Sequence, residues 1–278
     1  MPMSDTKPTP DDIERHRTIL QKQIDPLVFP SDEAPSPVDE IRFLEGPQEI
    51  KNDQSILETV NDEFRKSFAV FNEISPCVAF FGSARTKPED PLYEMGRKTA
   101  ELIAREGFAI MTGGGPGMMQ AANQGAHDAG GRSVGCTIEL PNEEGANPYV
   151  NRGASFKHFF VRKVVMVKYS YGFVVLPGGY GTMDEMFEII TLIQTGKIRE
   201  FPVVLMGCEY WSKLFDFLST SMVEFGMIDP DDNDLFFLTD DPKTACEHVT
   251  RIASRRFDLQ KGAPAACRLD WEQSRGHS

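Results

Sequence analysis

Gly178, Gly179 and Gly181 are followed directly by the Thr182 hydroxyl and then, three residues on, by the Glu185 carboxylate, all within Leu176-Pro177-Gly178-Gly179-Tyr180-Gly181-Thr182-Met183-Asp184-Glu185. Phosphate-ester chemistry needs these parts close together. Glycines let backbone amides approach an anion, a hydroxyl adds a donor, and a carboxylate one helical turn on sits too near the anion to be an ordinary surface acid. Two further groups of residues fit the same chemistry. Arg162 offers a planar fork suited to a phosphate or a sugar diol, with Lys163 beside it. The cluster Gly113-Gly114-Gly115-Pro116-Gly117 runs into Met118 and Met119, and Ser83 follows Gly82. Four glycines in five positions exceed what one tight turn requires, which points to phosphate or ribose contact. Candidate substrate contacts are therefore Ser83, Gly114, Gly115, Gly117, Met118 and Lys163, together with Gly178, Gly179, Gly181 and Thr182.

The elements that must position these residues alternate along the chain. Strands are expected at Val78–Gly82, Phe108–Thr112, Ser133–Ile138, Phe156–Phe160, Phe173–Leu176, Val203–Met206 and Leu235–Leu238. Helices are expected at Ile56–Ile74, Tyr93–Arg105, Met118–Ala129, Arg162–Tyr171, Thr182–Thr195, Trp211–Phe225 and Pro242–Ile252. Such alternation buries a parallel sheet between two helical layers, an α/β doubly wound, Rossmann-like fold with its ligand at the carboxyl ends of the strands. Both main glycine loops and Ser83 follow strands, so all three open on that edge. The expected organisation is an N-terminal extension over residues 1–75 ending in a helix, one catalytic domain over 76–254, and a peripheral tail over 255–278. The extension is rich in Pro, Asp and Glu, which fits a segment that is disordered or lies over the main domain.

Composition narrows the classes. The chain has 278 residues, 40% of them hydrophobic, enough for one good core. No apolar run approaches the ~20 residues of a membrane span, and the acidic start has no signal-like pattern, so a soluble cytoplasmic protein is expected. A formal charge of −13 disfavours nucleic acid and anionic membranes as partners, though it leaves room for a small phosphorylated ligand. The five cysteines are widely spaced, without a CxxC pair, so neither a zinc site nor a disulfide framework is expected.

Rival nucleotide chemistries lack their residues. The first turn holds only Gly82-Ser83 where a dinucleotide fold needs GxGxxG, and no glycine loop ends in the Lys-Ser or Lys-Thr of a P-loop. No Ser or Cys occupies a GxSxG nucleophile elbow. His127, His158 and His248 lack partners at metal-ligand spacing and read as structural or surface residues. The helix at Trp211–Phe225 reads as core.

The pair of motifs, a GGGxxGxM-like run at Gly113–Met119 and PGGxGTxxE at Pro177–Glu185, with Arg162-Lys163 between them, resembles the signature of the LONELY GUY (LOG) phosphoribohydrolases. The resemblance covers about Cys77 to Ala253. It implies hydrolysis of the N-glycosidic bond of a nucleoside 5′-monophosphate, of the AMP or cytokinin-riboside type, to a free base and ribose 5-phosphate. It implies no metal and no organic cofactor, and a homodimer or higher homo-oligomer. Carried over by position, Glu185 is the catalytic carboxylate and Arg162 its partner, while Gly178, Gly179, Gly181 and Thr182 hold the phosphate. This sequence departs from the plant-type pattern in a first motif one residue shorter between the glycine triplet and the next glycine, and in the N-terminal extension. The alternative from another class is a non-catalytic carrier of a nucleotide or phosphorylated cofactor, as some molybdenum-cofactor carriers of similar fold are. Lysine decarboxylation is disfavoured, because Lys163 and Lys168 lack the setting of a Schiff-base lysine.

Overall fold

The structure, a computed structural model, describes residues 50–72, 74, 76–139, 145–199 and 201–257. What was expected of the extension up to residue 49 and of the tail beyond residue 257 lies outside the described residues. Seven parallel strands form one sheet: β1 (Cys77–Phe81), β2 (Ala109–Thr112), β3 (Ser133–Ile138), β4 (Arg152–Phe156), β5 (Ser170–Val175), β6 (Val203–Leu205) and β7 (Phe237–Leu238). The helices are α1 (Ile50–Phe71), α2 (Pro91–Arg105), α3 (Met118–Asp128), α4 (Phe159–Tyr169), α5 (Tyr180–Gln194), α6 (Cys208–Asp216) and α7 (Pro242–Phe257). π-Helical turns over Phe217–Met222 prolong α6, and a 3-10 turn over Pro230–Leu235 precedes β7.

Strand β1 illustrates why the sheet is buried on both faces. Its residues CVAFF form an unbroken apolar run, as a parallel strand between two layers requires. Successive side chains alternate: Cys77, Ala79 and Phe81 join one core with Val165, Met166, Met186 and Trp211, while Val78 and Phe80 join the other with Ile103, Met118 and Val249. Burial pushes the Cys77 thiol up to about 12 and raises Cys136 as well, so neither is a reactive nucleophile. Local signals set the helix ends. Asp90 caps α2 by accepting the Leu92 N–H at 2.9 Å, with Pro91 in the first turn.

The strand order β4-β3-β2-β1-β5-β6-β7 places the chain's reversal between β1 and β5. The chain leaves β1 toward β4 on one side and returns to β5 on the other, so the loops leaving β1 and β5 part and open a crevice. Most elements shift at their ends: α1 runs over Ile50–Phe71 where Ile56–Ile74 was expected, α7 continues to Phe257 beyond the expected Ile252, and β7 keeps only Phe237–Leu238 of the expected Leu235–Leu238. Three other differences bear on the site or its supports. The strand expected at Phe156–Phe160 ends at Phe156, and Phe159 already opens α4. β4 is an edge strand whose first residues, Arg152 and Gly153, are exposed, so it lacks an apolar run, and the neighbouring phenylalanines carry the β-like signal instead. Likewise α4 ends at Tyr169, and Ser170 and Tyr171 belong to β5. The helix expected at Trp211–Phe225 begins earlier, at Cys208, and loosens into π-helical turns from Phe217. Among the described residues no helix is long and apolar enough to cross a membrane.

Candidate active site

At the reversal point lies a cleft of about 720 Å³, a size suited to a nucleotide-scale ligand. Its floor is the turn between β5 and α5. Gly179 stands at the N-cap of α5 and offers no side-chain cap, and the first helical hydrogen bond runs from the Met183 N–H to the Gly179 carbonyl at 3.0 Å. The amides of the first turn, before Met183, have no helical carbonyl to bond, which makes this end of the helix attractive to an anion. Gly178 is glycine for a steric reason: a Cβ there would fall 2.1 Å from Thr182 Oγ1 and 2.6 Å from Thr182 Cβ. The threonine is thereby folded back over the loop and is nearly buried. Two outside contacts fix the turn, since Ser83 donates its N–H to the Pro177 carbonyl at 3.0 Å and Tyr210 donates its hydroxyl to the Gly178 carbonyl at 2.6 Å.

Glu185 lies four residues beyond Gly181 on the same face of α5, with 3% of its surface exposed. Its Oε1 is 3.5 Å from Arg162 Nη2, and its Oε2 has no partner. Burial pushes the carboxyl up to about 7, opposed by the Arg162 and Lys163 charges and assisted by Glu188 and Asp184. Arg162 comes from α4, where its guanidinium carbon stands 5.0 Å from the centre of the Phe159 ring. Its Nε is buried without a partner. A contact of 3.5 Å is at the outer limit of a hydrogen bond. The pair therefore keeps an acceptor and a donor that a ligand hydroxyl could satisfy, in surroundings where an unpaired polar group is costly.

The cleft is lined by Ser83, Gly178, Gly179, Gly181, Thr182, Arg162 and Glu185 from the expected set. Gly114, Gly115, Gly117, Met118 and Lys163 stand elsewhere. Met118 is fully buried, and a Cβ on Gly82 would meet its Cγ at 2.5 Å, so it wedges α3 against the end of β1. Gly117 has φ +67°, and its backbone lies so close to Ser83 and Ala84 that a Cβ would fall 2.5 Å from the Ser83 carbonyl oxygen. The N–H of Met118 is spent on that same carbonyl at 2.9 Å, which closes the α3 terminus to an anion at that position. Gly114 donates its N–H to Thr112 Oγ1 at 2.9 Å, and the carbonyls of Gly114 and Gly115 both accept from Asn147 Nδ2 at 3.0 Å. Asn147 and Thr112 also bond the buried Asn123, so the first glycine loop is held by a polar network, and only Gly113 of its triplet reaches the cleft. Lys163 is turned to α5, 3.0 Å from both Asp184 and Glu188. Burial alone would lower its ammonium, but those two carboxylates hold it above its ordinary value.

Sequence reasoning missed Tyr210 and Arg85, which also line the cleft. Tyr210 sits just past the carboxyl end of β6, the edge on which ligands of this fold bind, and that position was the available signal. Arg85 follows Ser83 in the first loop, where only the serine drew attention. Of the lysines weighed for a Schiff base, neither Lys163 nor Lys168 lines the cleft.

Residues 119–249 match the family described as "Possible lysine decarboxylase". A cytokinin riboside 5′-monophosphate phosphoribohydrolase of Arabidopsis thaliana is 32% identical over 208 residues, which cover 72% of this chain and 89% of that one. A protein of Oryza sativa subsp. japonica named "Probable cytokinin riboside 5′-monophosphate phosphoribohydrolase" is 31% identical, covering 72% of this chain and 80% of its own length. Among solved structures, the molybdenum cofactor binding protein of Rippkaea orientalis aligns with 64% of this chain and 97% of its own at 22% identity and a TM-score of 0.49. The identity to the Arabidopsis enzyme, extending over most of both chains, settles the family: this chain belongs to the LOG family.

Proposed function

We propose that the protein hydrolyses the N-glycosidic bond of a nucleoside 5′-monophosphate, of the AMP or cytokinin-riboside monophosphate type, releasing free base and ribose 5-phosphate. The observation that carries this reading is Glu185, a buried acid facing the same cleft as the glycine-built N-terminus of its own helix. The phosphate would sit on the first-turn amides of α5 with Gly178, Gly179, Gly181, Thr182 and the Ser83 loop around it. That anchoring holds the ribose against Glu185 and converts remote binding energy into orientation. Departure of the base takes the electron pair of the C1′–N bond and leaves an oxocarbenium-like sugar. The Glu185 carboxylate stabilises that charge and accepts a proton from the attacking water, whose oxygen becomes the C1′ hydroxyl; that proton then passes to the departed base nitrogen, which gives the neutral free base and restores the carboxylate. A carboxyl held at about 7 is matched to proton transfer near neutrality. Arg162 keeps Glu185 oriented and offers its remaining N–H groups to the sugar.

The relatives' names support the reaction class. A homodimer is part of the same proposal: Tyr180 is 96% exposed, and Phe160, Val164 and Phe187 on the adjoining helices α4 and α5 are also exposed, an apolar surface that a second copy would cover. The test is incubation with a panel of nucleoside monophosphates and chromatographic resolution of free bases. Release from at least one is expected, and Glu185→Ala should abolish it while nucleotide affinity persists. Tight binding without release from any of them would replace the hydrolase with a carrier.

A further inference from the structure

Helix α4 carries Arg162 to the cleft, yet nothing of its own caps its N-terminus, because His158 occupies the N-cap position without a side-chain bond to the helix. A carboxylate from another helix serves this turn. Glu63 of α1, 10% exposed at its side chain, accepts the Lys157 N–H on Oε1 and places Oε2 2.7 Å from His158 Nδ1. A carboxylate only accepts, so Nδ1 carries the proton. His158 is fully buried, and its carbonyl accepts the Arg162 N–H at 3.2 Å. Helix α1 and Asn72, just past its end, also grip the far end of α4. The Tyr169 hydroxyl donates to Asn72 Oδ1 at 3.0 Å, the Phe71 ring centre lies 5.4 Å from that of Tyr169, and Lys168 Nζ stands 5.3 Å from the Phe68 ring centre.

We infer that Glu63 and His158 are positioning residues for Arg162, through which helix α1 sets where the guanidinium stands against Glu185. The inference rests on the reading of Arg162 and Glu185 as the working pair of the site. Its physical basis is a margin and a lever. The Arg162–Glu185 contact is 3.5 Å, so a displacement of a few tenths of an ångström ends it as a hydrogen bond. Removing Glu63 takes the acceptor from a fully buried imidazole, whose Nε2 has no partner to compensate, and with it the carboxylate that bonds the Lys157 N–H. The turn that must then rearrange is the one whose carbonyl anchors the Arg162 amide.

A double-mutant cycle tests this. Glu63→Ala should lower kcat for base release about 10-fold or more with KM changed less than about threefold, since the phosphate loop stands on other elements. In an Arg162→Ala background the same substitution should have no further effect, whereas additive losses would show that Glu63 does not act through Arg162 and would overturn the inference. A second readout needs no turnover. The 13C carboxyl resonance of Glu185, assigned with Glu185→Gln, should titrate at higher pH in Glu63→Ala than in the parent, and Arg162→Ala should move it the same way without the two shifts summing. A midpoint unmoved by Glu63→Ala overturns the inference. That measurement stands whether or not the protein releases any base, so its failure is separate from failure of the hydrolase reading. Should Glu63→Ala not fold, Glu63→Gln, which keeps the volume and loses the charge, carries the same cycle.

Discussion

Replacing Glu185 with Gln measures what it costs to hold an acid in the cleft. Burial pushes the carboxyl from 4.5 up to about 7, against the pull of Arg162 and Lys163. An acid whose folded pKa is raised binds its proton more tightly in the folded state than in the unfolded one. Its contribution to stability is therefore fully present below about pH 4.5 and is lost as pH rises through about 7. At ~1.36 kcal/mol per pH unit, that interval corresponds to a loss of about 3 kcal/mol. Gln has nearly the same shape and does not titrate. The stability of the parent minus that of Glu185→Gln should accordingly fall by about 3 kcal/mol between pH 4 and pH 8. Urea unfolding of both proteins at both pH values, without nucleotide or phosphate, reads this, because the titration of groups that do not interact with Glu185 cancels in the difference. The variant should be the more stable protein at pH 8 and the less active one. A parent–variant difference that stays flat across this range would refute the reasoning, since Glu185 would then titrate as it does in the unfolded chain.

Gly178→Ala should weaken nucleotide binding at least ~10-fold by calorimetry with the fold retained, because the added Cβ, 2.1 Å from Thr182 Oγ1, displaces the threonine and the first-turn amides of α5 together; parent-like affinity would remove that turn from the phosphate site. Light scattering should give a particle of at least twice the 31.1 kDa chain mass, and a monomer at micromolar concentration would end the dimer proposal. The Glu185→Ala and Glu63→Ala experiments complete the set.

The sheet was legible wherever a strand is buried on both faces. The run CVAFF announces β1 without help, because a parallel strand between two layers is apolar throughout. The edge strand β4 was not, since its first four residues, RGAS, are mostly exposed and carry no apolar pattern, and the nearby phenylalanines mislead. The site divides in the same way. The Pro177–Glu185 turn was readable because its residue types and its strand-to-helix context agree locally. The Gly113–Gly117 run was equally conspicuous, yet most of it packs against Ser83, Thr137 and Asn147. Glycine content records close approach without saying whether the approaching group is a ligand or the protein itself. Glu63 was invisible for a further reason, as it meets His158 across 95 residues of sequence and neither residue shows periodicity pointing to the other.

In the proposed reaction, the placement of Glu185 lets one helix serve both the phosphate and the sugar. Gly181 and Glu185 are four residues apart, which at the rise of an α-helix is about 6 Å along the axis, on the scale of a ribose ring with its 5′ carbon. An anion held by the first-turn amides would therefore present its attached sugar to the carboxylate without any other element having to move. The same geometry sets the electrostatic problem. A bound phosphate brings negative charge beside an acid already held at about 7, and would push it further toward the protonated form. Arg162 and Lys163, both on α4, oppose this, and Arg162 touches Glu185 directly. The reaction as proposed needs the carboxylate ionised when the phosphate is present, and the position of α4 decides whether it is.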